Sequence, residues 1–245
     1  MFLWSVALDY LKAINMQRYL FLGVLLLLGL GLKGQFGLRI NYVKSSAPNW
    51  EQFLEENSYF NPSLFGSSVS LGLDYWFRLP QKRVEFYPSI SYSKNSSHVN
   101  NSRLITELGD FEMKRIALNL NTHFYILDFK GDCDCPTFSK KGNFVKKGLF
   151  LSIHPGLAMH QKGFSLLSNQ SEKSLIPNIG IGAGIDIGIS DLFTITPIVQ
   201  YNLSFEDTWE NLSEATMDGE PTILETSNYN QLQLGIRIGF RPDYK

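Results

Sequence analysis

The segment 176–190, IPNIGIGAGIDIGIS, alternates between two kinds of residue. From Ile179 to Ile189 every odd position is isoleucine or alanine, and every even position is glycine except for Asp186. Successive side chains of a β-strand fall on opposite faces, so a period of two predicts a strand. One face of this strand is apolar, and the other carries almost no side chains.

Two other structures are possible for a glycine-rich apolar segment, and both fit it poorly. A dinucleotide-binding loop needs the spacing Gly-x-Gly-x-x-Gly, but Ile185 and Ile187 occupy the positions where the third glycine belongs. A transmembrane helix needs about 20 apolar residues, and Pro177, Asn178 and Asp186 interrupt this run. The segment therefore favours the strand.

The same alternation occurs eight times along the chain. The eight segments are 36–43, 68–79, 84–93, 115–126, 149–158, 179–189, 193–205 and 231–240. Each has about ten residues, which is the length of a tilted strand that crosses a bilayer. We expect an all-β chain: an eight-stranded antiparallel up-and-down transmembrane β-barrel.

The connections between these strands are of two kinds. Residues 80–82 and 190–192 make tight turns, whereas 44–66, 94–110, 161–175 and 206–228 make long polar loops. Outer-membrane barrels have short turns on the periplasmic side and long loops outside. The connection 130–147 is an exception, because it is long and falls on the periplasmic side.

The polar faces of the strands carry charges of both signs, and the apolar faces carry none. We expect the charges to form an ionic network in the lumen, made by Arg39, Asp74, Arg78, Glu85, Arg115, Asp186 and Arg237. The apolar faces would then contact lipid, with Tyr75, Phe77, Phe86, Tyr92, Phe193, Phe205 and Phe240 toward the strand ends. A soluble lipocalin-like barrel would have the opposite arrangement, with its apolar face inside.

Eight strands leave an interior that side chains largely fill, so no wide pore is expected. Gly180, Gly182, Gly184 and Gly188 would form a bare inner wall. Aromatic side chains are expected to pack against it, the candidates being Trp76, Tyr87, Tyr125 and Phe150. The alternative is a ligand cavity along this wall. If the wall is loosely packed, serine at Gly182 or Gly184 is expected to be mild.

The N-terminal segment has the features of an export signal. Arg18 precedes the apolar run YLFLGVLLLLGLGL, and Lys33, Gly34 and Gln35 follow it. We expect residues 1–34 to be a cleavable signal peptide, with 1–15 a mis-assigned start, and residues 35–245 to be the barrel domain. The net charge of -1 gives no indication of nucleic-acid binding. The expected location is the cell outer membrane.

With these strands in place, the chain resembles the small outer-membrane β-barrel families of the Bacteroidetes type, which include PorT-like proteins, and OmpA-like eight-stranded barrel domains. The resemblance spans Gln35 to Phe240 and includes the closing strand LQLGIRIGF. Residues 241–245 depart from it, because an aromatic residue usually ends such chains. The resemblance implies an outer-membrane location and, for some members, a link to protein secretion or gliding.

Two groups of residues have chemistry of their own. Cys133 and Cys135 lie in the long periplasmic turn, an oxidising environment, where a strained disulfide or redox pair, inert turn residues and a metal site are the alternatives. His154 and His160, with Ser165 and Glu172 beyond them, invite comparison with barrels that modify lipid. Both histidines have the inward parity of Ser152, so buried polar packing is the better interpretation.

We therefore expect a monomeric outer-membrane barrel without enzymatic activity, cofactor or metal. Its expected role is that of a structural anchor or interaction platform. The expected partners are outer-membrane lipid and, through the outer loops or the periplasmic turn, envelope or secretion-system proteins. The alternatives are an outer-membrane lipid-modifying enzyme and a secreted lipocalin-like binding protein.

Overall fold

The computed structural model describes residues 35–56, 65–78, 83–99, 109–127, 148–164, 171–190, 192–209 and 226–240. All belong to one compact unit, Gln35–Lys245. Its elements are β1 (Gln35–Ser46), α1 (Pro48–Glu56), β2 (Ser67–Arg78), β3 (Val84–Val99), β4 (Gly109–Tyr125), β5 (Leu149–Ile153), β6 (Gly156–Phe164), β7 (Glu172–Ile185), β8 (Ile187–Gly188), β9 (Phe193–Thr208) and β10 (Thr226–Phe240). The predicted signal peptide and the cysteine pair lie outside the described residues.

The ten strand segments combine into eight continuous strands of the barrel wall, which we call courses. The pairs Ile153–Ile181 and Gly156–Asn178 keep one register, so β5 and β6 are a single course. Pro155 separates them because proline has no N–H to donate to the ladder. The strands β7 and β8 likewise follow one register along β9 on either side of Asp186. The predicted number of strands is confirmed.

The sheet closes on itself, because β1 pairs with both β2 and β10. A circuit of paired residues runs from Gly37 through Asp74, Ser89, Asn119, Gly156, Asn178 and Ser204 to Tyr229. Asn230 pairs with Ser46, which places Tyr229 opposite residue 47, ten positions along β1 from Gly37. Strands staggered in this way are tilted by roughly 35–45°, and eight of them enclose a lumen that side chains fill.

The apolar face of each strand points outward. On β10, Leu232, Leu234 and Ile236 are 44–52% exposed, whereas Gln231 and Gln233 between them are buried. This polarity is the reverse of that in a lipocalin-like barrel, whose apolar side chains point inward. The fold class predicted from the sequence, an eight-stranded antiparallel barrel with an apolar exterior, is therefore confirmed.

The predicted loop boundaries are wrong at the outer end of the barrel. The strands β3 and β4 pair as far as Val99 and Gly109, and the segment 44–66 contains the helix α1. The outward residues of this extension are polar, such as Lys94, Ser96 and Glu112. Above the lipid, the outward face meets water, so the apolar alternation stops while the backbone pairing continues. The helical segments that the structure describes do not reach the length and hydrophobicity of a membrane span.

Candidate functional site

A broad apolar belt surrounds the barrel. Its large side chains are 45–61% exposed and come from every part of the wall: Leu38, Leu73, Leu118, Ile181 and Leu234. Soluble proteins rarely expose a contiguous apolar surface of this size. An apolar exterior around a polar interior is the arrangement of outer-membrane barrels and confirms the predicted transmembrane barrel.

Aromatic rings line the rim where β1 begins and β10 ends. Ring centroids are 5.5 Å apart for Phe36 and Tyr75, and 5.3 Å apart for both Phe77–Phe86 and Phe193–Phe240. Aromatic side chains favour the boundary between lipid and water, so this rim marks one membrane interface. Tyr92 was expected near a strand end, but β3 continues seven residues beyond it, to Val99.

A buried ion pair lies inside the barrel near this rim. Arg237 donates from Nε to both carboxylate oxygens of Asp74 at 2.9 Å, and from a terminal nitrogen at 2.6 Å. Its guanidinium also lies 4.6 Å from the ring centroid of Tyr87. The pair crosses β1 at Gly37, where a Cβ would approach Arg237 nitrogens and an Asp74 oxygen at 2.5–2.6 Å. Glycine at this position therefore leaves room for the pair.

Two buried carboxylates nearby accept hydrogen bonds from hydroxyl groups. The phenol of Tyr125 lies 2.7 Å from Glu85 Oε2 and 2.5 Å from Asp186 Oδ2. Tyr87 also donates to Glu85, and Thr196 donates to Asp186. Hydroxyl donors therefore contribute to the stabilisation of these acids, which the sequence placed in an ionic network.

A chain of polar side chains crosses the middle of the lumen. Arg39 donates to Gln200 at 3.2 Å, Gln200 contacts His154 at 3.2 Å, and His154 contacts Ser152 at 2.8 Å. Ser152 and His154 are 3% and 1% exposed. The inward parity predicted for this histidine is confirmed. The Ser–His contact is buried in the lumen, away from the lipid surface where a lipid-modifying enzyme would need it.

The glycine wall is covered mostly by polar groups, which corrects the prediction of aromatic packing. A Cβ at Gly180 would collide with the amide of Asn202, and one at Gly182 would lie 3.0 Å from both Gln200 and His154. Gly184 faces a phenyl ring, with Phe150 Cζ 2.5 Å from the Cβ position. Each of these glycines pairs in register with a larger inward residue, which fills the space that the glycine leaves.

A second charged cluster lies at the outer end of the lumen and was not predicted from the sequence. His160 Nδ1 lies 2.6 Å from Asp207 Oδ2, Lys162 pairs with Asp207, and Ser174 donates to Asp207 at 2.8 Å. Asp207, His160 and Lys162 are buried. The sequence interpretation had placed Lys162 and Asp207 in loops, although Lys162 continues the inward parity of His160.

A bulge directs Asp207 into the lumen. The register between β9 and β10 shifts between Ser227 and Tyr229, so that Phe205 and Glu206 together oppose Asn228. One extra residue on a strand reverses the parity of those that follow it. A search for a constant period of two could not place Asp207 inward.

An aromatic cluster closes the outer end of the lumen. Trp50 of α1 lies 5.5 Å from Trp209 and 6.5 Å from Phe65, measured between ring centroids, and Phe65 lies 5.3 Å from Phe111 and 5.2 Å from Tyr229. The Nζ of Lys162 is 4.7 Å from the Trp50 ring centroid. We call these five aromatic residues the outer cap. The sequence assigned Trp50 and Phe65 to a polar loop.

The helix α1 carries one titrating group with an unusual environment. Burial, together with the negative charge of Glu55, raises the pKa of Glu51 to about 7. Glu51 lies in the first turn, where the helix dipole would favour the charged carboxylate. The desolvation that accompanies its burial exceeds that effect.

The seven predicted lumen charges lie at different heights in the barrel. Asp74 and Arg237 form an ion pair, Arg39 belongs to the polar chain, and Arg115 lies opposite His160 at the outer end. Arg78 pairs with Glu85 through the backbone, and its side chain lies outside the described part. Cys133 and Cys135 are also outside it. In the described ranges, no group of three or more His, Cys, Asp or Glu residues could hold a metal ion.

Solved structures of similar shape include outer-membrane and surface proteins. Neisserial surface protein A is 10% identical, with 86% of this chain and 97% of that chain covered and a TM-score of 0.47. A major outer membrane protein from Thermus thermophilus is 9% identical, with 84% and 99% covered and a TM-score of 0.43. Ail, the attachment invasion locus protein of Yersinia pestis, solved with the heparin analogue sucrose octasulfate, is 14% identical, with 85% and 100% covered and a TM-score of 0.41.

Neither the protein-family models nor the curated proteins compared with this sequence give a match. The barrel assignment rests on the closed register of eight courses and on the apolar belt.

Proposed function

We propose that this chain is an integral outer-membrane protein that acts as a structural anchor or interaction platform for envelope components. The observation that supports this role most directly is a filled lumen beneath an outer end that aromatic side chains close. The outer cap buries Trp50, Phe111 and Trp209 to 1% exposure or less, and the polar lumen is packed below it. A barrel of this kind offers partners its surface, whereas a porin offers a passage.

The surface offered at the outer end is the extension of β3 and β4 beyond the belt. Lys94 and Lys114 each pair with Glu112 there, at 2.8 Å and 2.7 Å, and all three side chains are substantially exposed. Exposed ion pairs of this kind add little to stability. They leave a hydrated, charged surface for contact with a partner.

We further propose that the chain is a PorT-like barrel with a link to secretion or gliding. It is supported by the sequence features of the closing strand, which ends at Phe240. The partners proposed are outer-membrane lipid around the belt and envelope or secretion-system proteins at the outer loops or the periplasmic turn.

Cysteine crosslinking in intact cells tests the platform role. We expect a thiol at Ser96, exposed on the outer extension, to give a discrete protein adduct with a short bifunctional reagent. A thiol at Leu118, in the belt, is the matched control and should give none. Reconstitution in planar bilayers should give no large, stable conductance. A steady open channel, or equal crosslinking at both positions, would contradict the proposal.

A further inference from the structure

A small, partly enclosed cavity lies in the middle of the lumen. Its volume is about 20 Å³, and polar side chains line most of it, among them Arg39, Asn41, Asn121, Gln200, Asn202 and Gln233. One water molecule needs a cavity of about 10–15 Å³ on this measure. The cavity therefore has room for a single small guest.

Arg39 supplies the strongest unused donors beside this cavity. Its side chain is 6% exposed, and one terminal nitrogen donates to Gln200 Oε1 at 3.2 Å. Among the described residues, neither Nε nor the other terminal nitrogen donates to a protein acceptor. Guanidinium stays protonated at all ordinary pH values, so burial of these donors without an acceptor is costly.

The neighbouring carboxylate is already engaged. Asp74 lines the same cavity, but it forms three close contacts with Arg237. Asp74 therefore accepts no hydrogen bond from Arg39 Nε or from its second terminal nitrogen. Gly72 pairs in register with Arg39 and also lines the cavity, and it adds no side chain to it.

The unpaired amide oxygens nearby do not compete for the same guest. Asn41 Oδ1 lies against the backbone of Gly235, and Asn119 Oδ1 lies against that of Gly156. Both oxygens are thus turned toward the barrel wall. The donors left at the cavity are those of a positive group, which favours a guest that is both an acceptor and negatively charged.

We propose that this cavity binds one small monovalent anion, of the size of chloride, held by Nε and the free terminal nitrogen of Arg39. The anion accepts hydrogen bonds from these two buried donors. The site is independent of the platform role, since it depends only on the lumen.

Anomalous diffraction tests this site. The full mature chain is refolded from urea into detergent with sodium bromide as the only halide and then crystallised. We expect one internal bromide peak within hydrogen-bonding distance of Arg39 Nε. A cavity that contains only water would overturn the proposal.

Thermal unfolding provides a second readout that does not depend on crystals. At equal ionic strength, we expect Tm to rise and saturate with bromide or chloride but not with gluconate, because a guest bound only by the folded state stabilises it. R39Q should lose this halide-specific shift, and K94Q, at the exposed outer end, should keep it. Equal halide shifts in R39Q and wild type would contradict the proposal. If R39Q does not fold, the wild-type bromide map still decides.

Discussion

Arg237 of β10 holds both carboxylate oxygens of Asp74 of β2, with nitrogen–oxygen distances of 2.6–2.9 Å, across the intervening strand β1. The three strands form the seam where the first and last courses of the barrel meet. The side chains of Asp74 and Arg237, from the two strands that flank β1, meet over Gly37. The ion pair therefore fastens the closure of the barrel from inside.

Removal of one partner of this pair should destabilise the barrel strongly. Arg237→Met leaves Asp74 as a buried carboxylate without its cation, a change that costs about 3–5 kcal/mol. Urea unfolding in detergent micelles, followed by far-UV circular dichroism, measures the loss. The double variant D74N/R237Q removes both charges and should recover part of it. A double variant less stable than R237M would contradict this account of the seam.

A charge in the apolar belt should impair folding into the membrane. Leu234 is 51% exposed on the lipid-facing side of β10. Arg at this position should cost about 2–4 kcal/mol if it lies near the bilayer midplane, because the charge loses its hydration. The equilibrium between folded and unfolded chain in lipid vesicles measures this cost. The matched control S96R adds the same charge to the water-exposed outward face of β3 and should be nearly neutral.

The glycines of the inner wall should tolerate no added side chain, in contrast to the mild effect expected from a loosely packed wall. A Cβ at Gly184 would lie 2.5 Å from Phe150 Cζ and 2.8 Å from the carbonyl oxygen of Pro197. Backbone cannot shift cheaply in a closed barrel, so G184A should lower the free energy of unfolding by about 1–3 kcal/mol. At Gly66 the nearest atom is 4.0 Å away, and G66A is the control. Equal stability of the two variants would contradict the close packing of the wall.

The sequence predicts the wall of this barrel well because one physical constraint repeats along it. Wherever a strand separates lipid from the lumen, outward residues such as Leu118 are apolar and inward residues such as Asn119 are polar. Parity alone therefore assigned the faces of these residues correctly. The register was also needed to find what each inward glycine faces, because Gly180 and Asn202 are far apart in sequence.

The outer end could not be predicted in the same way. Above the lipid, polar residues such as Lys94 face outward while aromatic residues such as Phe111 face inward. The pattern of apolar outward and polar inward residues is therefore lost or reversed there. The bulge before Asp207 also shifts the parity by one residue. Trp50 lies in a short helix, whose packing depends on strands distant in sequence.

Loss of the outer cap should loosen the outer end of the lumen. Trp50 is fully buried between Trp209, Phe65 and the Lys162 ammonium group. W50A should cost about 3–5 kcal/mol through the cavity it leaves. Proteolysis of the folded protein should also cleave the helix segment faster. The exposed Glu55 on the same helix provides the control, E55A, which should behave like wild type in the proteolysis assay.

The raised pKa of Glu51 predicts that docking of α1 depends on pH. The folded-state pKa of about 7 lies above the ordinary value of 4.5, so the folded protein binds a proton more tightly than the unfolded chain does. Stability should therefore increase as pH falls from about 7 toward 4.5, and the destabilising effect of the carboxylate should be fully present above pH 7.

Other groups also titrate in this range, so the comparison is between wild type and E51Q, which cannot ionise. The difference in unfolding midpoint between the two should be largest at pH 8, with E51Q the more stable, and should vanish near pH 4.5. E55Q removes the neighbouring charge and should move the midpoint of this pH dependence toward acid. If E51Q were instead less stable than wild type at pH 8, the carboxylate would have to hold a favourable partner, and desolvation would not govern its ionisation.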